Sequence, residues 1–160
     1  MTHSNAAQRS REFLTAHAFN ALVGFELVRV HRDGVTLQCK VREELLNGAG
    51  VLHGGVTASL ADAAMGSALY HHYPKRIPFA TVEMKINYLR PIRDGRLLAR
   101  CHLLQVGSTL CVGRIDLADE RRREIGVAIA TYMFLDGRDA AISEPLRIIP
   151  PRPGRRPRTS

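Results

Sequence analysis

Residues 54–71 are apolar or small on nearly every side, and this stretch constrains the fold more than any other part of the chain. Between positions 56 and 69 it carries one charge, Asp62, among Ala58, Ala61, Ala63, Ala64, Met65, Gly66 and Ala68. It opens at His53-Gly54-Gly55 and ends near residue 71, because Pro74 and Pro78 stop it. A helix without a polar face has to be covered on nearly every side. The segments around it read as strands. The expected fold class is therefore α+β, with a curved antiparallel sheet of about six strands wrapped around one long central helix. The small side chains predict close approach of sheet to helix.

Ahead of that helix, residues 5–17 have a weak apolar side in Phe13, Leu14 and Ala16, which predicts a short N-terminal helix. Segments 25–30 and 35–41 read as strands joined through Arg32-Asp33-Gly34, where Asp-Gly is a strong tight-turn signal. Residues 81–89 alternate Val82, Met84, Ile86 and Tyr88 against Glu83, Lys85 and Asn87, the period-two pattern of a half-buried strand. Three more strands are expected at 96–105, 110–117 and 124–135. No internal repeat occurs. The chain divides on this reading into an N-terminal helical segment (1–19), one domain (20–140) and a Pro/Arg-rich tail (141–160).

A chain of 160 residues suits one domain with one core. No apolar run approaches bilayer-spanning length, so no membrane partner is expected. The first residues lack the apolar core of a secretory signal, and Cys39, Cys101 and Cys111 show no C-x-x-C spacing. Both point to a reduced cytoplasm. The net charge of +8 invites a nucleic-acid reading, but the tail carries Arg147, Arg152, Arg155, Arg156 and Arg158 against Glu144, half of that excess. Its five prolines predict an extended solubilising segment, and no nucleic-acid partner is expected. The basic residues that remain, among them Lys85, Arg90, Arg93, Arg96 and Arg100, suit a small phosphorylated ligand.

Charged side chains are almost never fully buried unless something pairs with them, so Asp62 marks a site. The element order, together with Asn47-Gly48-Ala49-Gly50-Val51-Leu52-His53-Gly54-Gly55, the Asp62 helix and Asn87-Tyr88-Leu89-Arg90-Pro91, resembles the hotdog-fold acyl-CoA thioesterases, in particular their phenylacetate-degradation (PaaI-like) branch. The resemblance covers about residues 20–136. It implies hydrolysis of an acyl-CoA thioester by a homodimer, often a dimer of dimers, whose acid acts across the subunit interface. The residues matching the family's functional positions are Asn47, His53, Gly54, Asp62 and Thr81.

The chemistry is consistent with those residues. Unpaired N–H groups at a helix N-terminus suit the amide of Gly54 or Gly55 to polarising a thioester carbonyl. From Gly54 to Asp62 is eight residues, roughly 12 Å along a helix axis, too far for both groups to meet one carbon. Two antiparallel helices in a dimer would bring Asp62 of one chain toward Gly54 of the other. Asp62 would act as general base on water or as a nucleophile; its alternative is an acid satisfied by nearby hydroxyls. His53 either contacts substrate or orients the turn, Asn47 contacts the thioester or forms the glycine-rich turn, and Thr81 would position water. Arg90, Arg93 and the Arg121-Arg122-Arg123 run are candidates for the phosphates of CoA, the last also reading as a solvated turn. Tyr70, Tyr73, Phe79 and Met84 are candidate walls of an acyl pocket.

No metal or other cofactor is expected, since H-E-x-x-H and paired C-x-x-C are missing and His71-His72 reads as a helix C-terminal cap. The G-x-S-x-G elbow and the dinucleotide and Walker spacings are also missing. Two competing readings are a 3-hydroxyacyl-thioester dehydratase of the same fold, whose Gly-His-Phe-Pro-Gly loop is not found, and a non-catalytic acyl-CoA-binding protein.

Overall fold

His17 has an extended backbone (φ −101°, ψ 108°), and it separates α1 (His3–Ala16) from α2 (Ala18–Val23). These lengths come from a computed structural model that describes residues 3–72 and 78–135. Gly24 closes α2 in the left-handed conformation (φ 80°) and donates its N–H to the Asn20 carbonyl at 2.9 Å. The Arg42 guanidinium then donates to the Leu22 and Val23 carbonyls at 2.7 and 2.6 Å, satisfying acceptors that a helix end leaves open. The helix expected over residues 5–17 is present as α1, and α2 is a further short helix that follows it directly. No Pro or Gly separates the two helices, and the cap of α2 arrives from far along the chain.

The central helix α3 (Gly54–His72) is buried without interruption over residues 63–69, so every face is covered as expected. The sheet contains β1 (Phe25–His31), β2 (Gly34–Lys40), β3 (Phe79–Tyr88), β4 (Arg96–Val106), β5 (Leu110–Asp119) and β6 (Glu124–Phe134). All neighbours pair antiparallel in the order β1-β2-β4-β5-β6-β3. Its concave face supplies Leu37, Leu97, Cys101 and Ile115, fully buried with Leu60, Met65 and Leu69 of α3. Each such large side chain contributes about 1.5–3 kcal/mol by leaving water. At Gly113 a methyl group would stand 2.3 Å from Met65 Sδ, so sulfur occupies the room a side chain would need. On the opposite flank, the Phe13 ring of α1 lies 5.1 Å from the Tyr70 ring and rests over Gly66.

Among the described residues, strand β3 occupies the rim of the sheet and pairs only with β6. Met84 and Ile86 are half-buried, whereas Val82 and Tyr88 are 55% and 53% exposed. The expected alternation therefore holds for the first two and fails for the others. A register irregularity between Thr81 and Glu83 leaves Val82 without a partner in β6, and such bulges bend a strand locally. The helix ends at His72, Pro78 stands just before β3, and Tyr73 and Pro74 lie outside the described residues.

On the outer face of β1, β2, β4 and β5 an ionic cluster holds the Asp33 turn. Arg100 and His102 Nδ1 donate to the Asp33 carboxylate, the latter at 2.9 Å, and His102 Nε2 lies 3.4 Å from Asp116. Burial opposes ionisation of Asp33, but the hydrogen bonds from Arg100 and His102 outweigh it and bring the pKa down to about 2 from 3.8. A carboxylate with a depressed folded-state pKa adds stability above its unfolded value and loses it as pH falls through the folded one. Wild-type stability to urea is expected to drop between about pH 4 and pH 2, and Asp33→Asn to remove part of that drop. An identical pH profile for the variant would show that the cluster contributes nothing.

Candidate active site

Asp62 points out of α3 between the start of β3 and the end of β6. Thr81 Oγ1 donates to its Oδ1 at 3.0 Å, and the Tyr132 hydroxyl donates to the same oxygen at 2.7 Å while lying 2.9 Å from the Asp62 carbonyl. Thr81 and Tyr132 face each other in the β3–β6 register. Burial and the adjacent Asp62 carboxylate push the Tyr132 phenol far up from its ordinary pKa, so it stays protonated and donates. Both donors converge on Oδ1, and Oδ2 accepts from no described residue. The half-buried carboxylate borders a cavity of about 470 Å³ lined also by Phe13, Phe79, Gly66 and Met84.

The hydroxyl-satisfied reading of Asp62 is thus met at one of its two oxygens. The other remains able to take a proton from water or to attack. Thr81 bonds the acid directly. Tyr132 was missed at the level of sequence, although a signal existed: the period of β6 puts Ala128, Ala130 and Tyr132 on one face, and a buried tyrosine hydroxyl usually has a partner.

A second group of candidates assembles at the N-terminus of α3. Asn47 Oδ1 accepts from the Ala49 N–H at 2.9 Å, and the Asn47 and Val51 backbones bond at 2.8 Å, so this side chain forms its turn. His53 Nδ1 accepts the Gly55 N–H at 2.9 Å. That bond commits the Gly55 amide and orients the turn, leaving Gly54 as the N–H that donates to no described residue. The Tyr88 hydroxyl donates to the Gly54 carbonyl at 3.0 Å, fixing the peptide from outside. Asn47, Gly54, Tyr88 and Arg90 line a separate cavity of about 310 Å³.

Arg90 donates to the Glu124 carbonyl at 2.8 Å and stays exposed at the mouth of that cavity. Arg93 is exposed and lines neither cavity. Arg121 and Arg123 donate backbone N–H groups to Asp119 Oδ1, and Arg123 Nε donates to Oδ2 at 2.7 Å, which ties this run into the β5–β6 turn. Asp62 with Thr81, and Asn47 with Gly54 and Arg90, therefore form two clusters in two cavities of one chain. Among the described residues, no group of three or more His, Cys, Asp or Glu could hold a metal ion, and no helix is long and apolar enough to cross a membrane.

Comparison with known proteins gives a consistent picture. The family model described as Thioesterase superfamily matches residues 49–125. The chain is 32% identical over 149 residues to the medium/long-chain acyl-CoA thioesterase YigI of Escherichia coli K12, covering 83% of this chain and 96% of that one. It is 34% identical over 107 residues to human acyl-coenzyme A thioesterase 13, covering 66% and 76%. The fold superposes on the E. coli PaaI protein from the phenylacetic acid degradation operon with a TM-score of 0.76 at 20% identity, covering 84% and 96%.

Proposed function

Because the chain belongs to the thioesterase superfamily, we propose that it hydrolyses an acyl-CoA thioester to the free acid and CoA at a site shared by two subunits. One observation carries this reading: the acid cavity lies at the start of β3 and the Gly54 cavity at its end, on a strand whose outer edge pairs with no described residue. Ten residues of β3 span roughly 30 Å. Two copies of β3 paired antiparallel would lay the start of one beside the end of the other. Each acid cavity then opens onto the amide turn of the mate.

In that site Asp62 Oδ2 takes a proton from water, and the resulting hydroxide oxygen bonds to the thioester carbon. The carbonyl oxygen, now an oxyanion, is held by the partner subunit's Gly54 N–H, a donor of the kind worth about 2.7–4 kcal/mol in acyl transfer. The C–S bond breaks as the carbonyl re-forms, and the proton on Asp62 passes to the departing CoA sulfur. Thr81 and Tyr132 keep the carboxylate oriented through Oδ1. Asn47 and His53 hold the turn that presents Gly54, and Arg90 at the cavity mouth is placed to meet a phosphate of CoA.

A panel of acyl-CoA thioesters with free-thiol detection tests the reaction. The protein's own thiols, Cys39, Cys101 and Cys111, are buried, and burial raises the pKa of each, so a substrate-free blank is expected to stay low. Release of thiol from some member is expected, and none across the panel would leave a non-catalytic acyl-CoA-binding protein. Sharing is tested by mixing two inactive chains. Gly54→Pro removes the polarising N–H at a first helical position where proline is tolerated, and Asp62→Asn removes the base. Their co-refolded mixture is expected to regain about a quarter of wild-type activity, since half the dimers are mixed and each holds one intact site. Confirmed mixed dimers without activity would mean that the sites are not shared.

A further inference from the structure

A third cavity, about 390 Å³, adjoins the acid cavity; it is lined by Phe13, Tyr70 and Phe79 and opens to solvent along Glu12, Ala16, His17 and Pro78. Phe13, His17 and Phe79 line both cavities. The Phe13 and Phe79 ring centroids are 6.1 Å apart, and Phe13 is packed in turn against His17 at 4.6 Å and Tyr70 at 5.1 Å. What parts the two spaces is thus a wall of side chains from α1 and β3. Gly66 lets that wall settle onto α3: a methyl group there would stand 3.2 Å from Phe13 Cζ and 3.6 Å from Phe79.

We propose that Phe13 and Phe79 form a partition that sets the acyl-chain length this enzyme accepts, with the cavity behind them receiving the far end of longer chains. The inference rests on the acyl-CoA reading above and names the substrate class of that same site. The occupant is specified by the walls. The half-buried part of the lining, Phe13, Tyr70 and Phe79, is aromatic, which suits a hydrocarbon chain, and Glu12 at its open side disfavours an acyl group ending in a second carboxylate. Chains that end within the acid cavity bind with the rings as they stand. Longer chains have to displace the Phe13 ring, which belongs to the N-terminal helix rather than to the sheet.

The test measures kcat/KM for saturated acyl-CoA thioesters from butanoyl to hexadecanoyl. Phe13→Ala and Phe79→Ala are each expected to raise the hexadecanoyl-to-octanoyl ratio by about tenfold or more, the scale on which apolar pockets discriminate chain length. Ala16→Phe, which narrows only the rear cavity, is expected to return that ratio to the wild-type value in the Phe13→Ala background and to lower it in the wild-type background. The second of these arms remains informative if Phe13→Ala fails to fold. A ratio unmoved by both alanine variants in folded protein, or unmoved by Ala16→Phe, overturns the partition. If the wild-type protein releases thiol from no thioester, the hydrolytic reading fails instead. Calorimetric affinities for octanoyl- and hexadecanoyl-CoA then test the partition alone, and a ratio insensitive to Phe13→Ala overturns it.

Discussion

Asp62→Asn is expected to lower kcat by about 10²- to 10⁴-fold, the usual contribution of a positioned general base, with melting temperature and subunit assembly unchanged. The substitution is nearly isosteric. Its amide oxygen still accepts the Thr81 and Tyr132 hydroxyls that now bond Oδ1 at 3.0 and 2.7 Å, so the side chain stays in place. The amide nitrogen then occupies the position of Oδ2, offering the cavity a donor where it had a base. Steady-state hydrolysis of the best thioester in the panel measures the effect. Turnover within about twofold of wild type would remove Asp62 from the reaction, a far smaller loss than a positioned base carries.

The largest expected effect on stability comes from Gly34→Ala. Gly34 has φ 151°, outside the range side chains adopt readily, and it pairs with His102 at one end of the antiparallel β2–β4 ladder. A methyl group there would stand 2.1 Å from the Cys101 carbonyl oxygen and 3.0 Å from its carbon. Backbone cannot swing aside as a flexible side chain can, so β2 and β4 would have to separate locally. A cost of about 4–5 kcal/mol is expected, at the far end of single-substitution effects and a large part of the 5–15 kcal/mol typical of a whole domain. Urea denaturation followed by circular dichroism measures it. A loss below about 1 kcal/mol would mean that the strand pair yields easily.

That glycine illustrates how far the sequence could be read. Asp33-Gly34 signalled a turn, and the turn is there, but the close approach of Cys101 involves a strand 67 residues downstream, beyond any local pattern. Local signals sufficed for the central helix, because an apolar stretch without a polar face allows one solution, and for the strands, because alternation and turn residues bounded each of them. They missed α2, which follows the expected helix directly and takes its cap from Arg42, and they failed at Val82, where a bulge interrupts the period. The same divide runs through the site. Asp62 stood out as a lone charge, whereas Tyr132 was one more strand residue until β6 met β3. Asn47 and His53 read ambiguously and are engaged in their own turn. The commitment of the Gly55 amide to His53, which singles out Gly54, depends on a side-chain orientation that no spacing encodes.

The carboxylate's two hydroxyl partners come from positions 81 and 132, and they converge only because β3 skips past β4 and β5 to lie against β6. No fragment shorter than that span can assemble the arrangement. Refolding protein should therefore recover helical signal before it recovers hydrolysis, because loop closure over such distances is slower than local ordering. Catalytic competence becomes a late reporter of the molecule's own assembly.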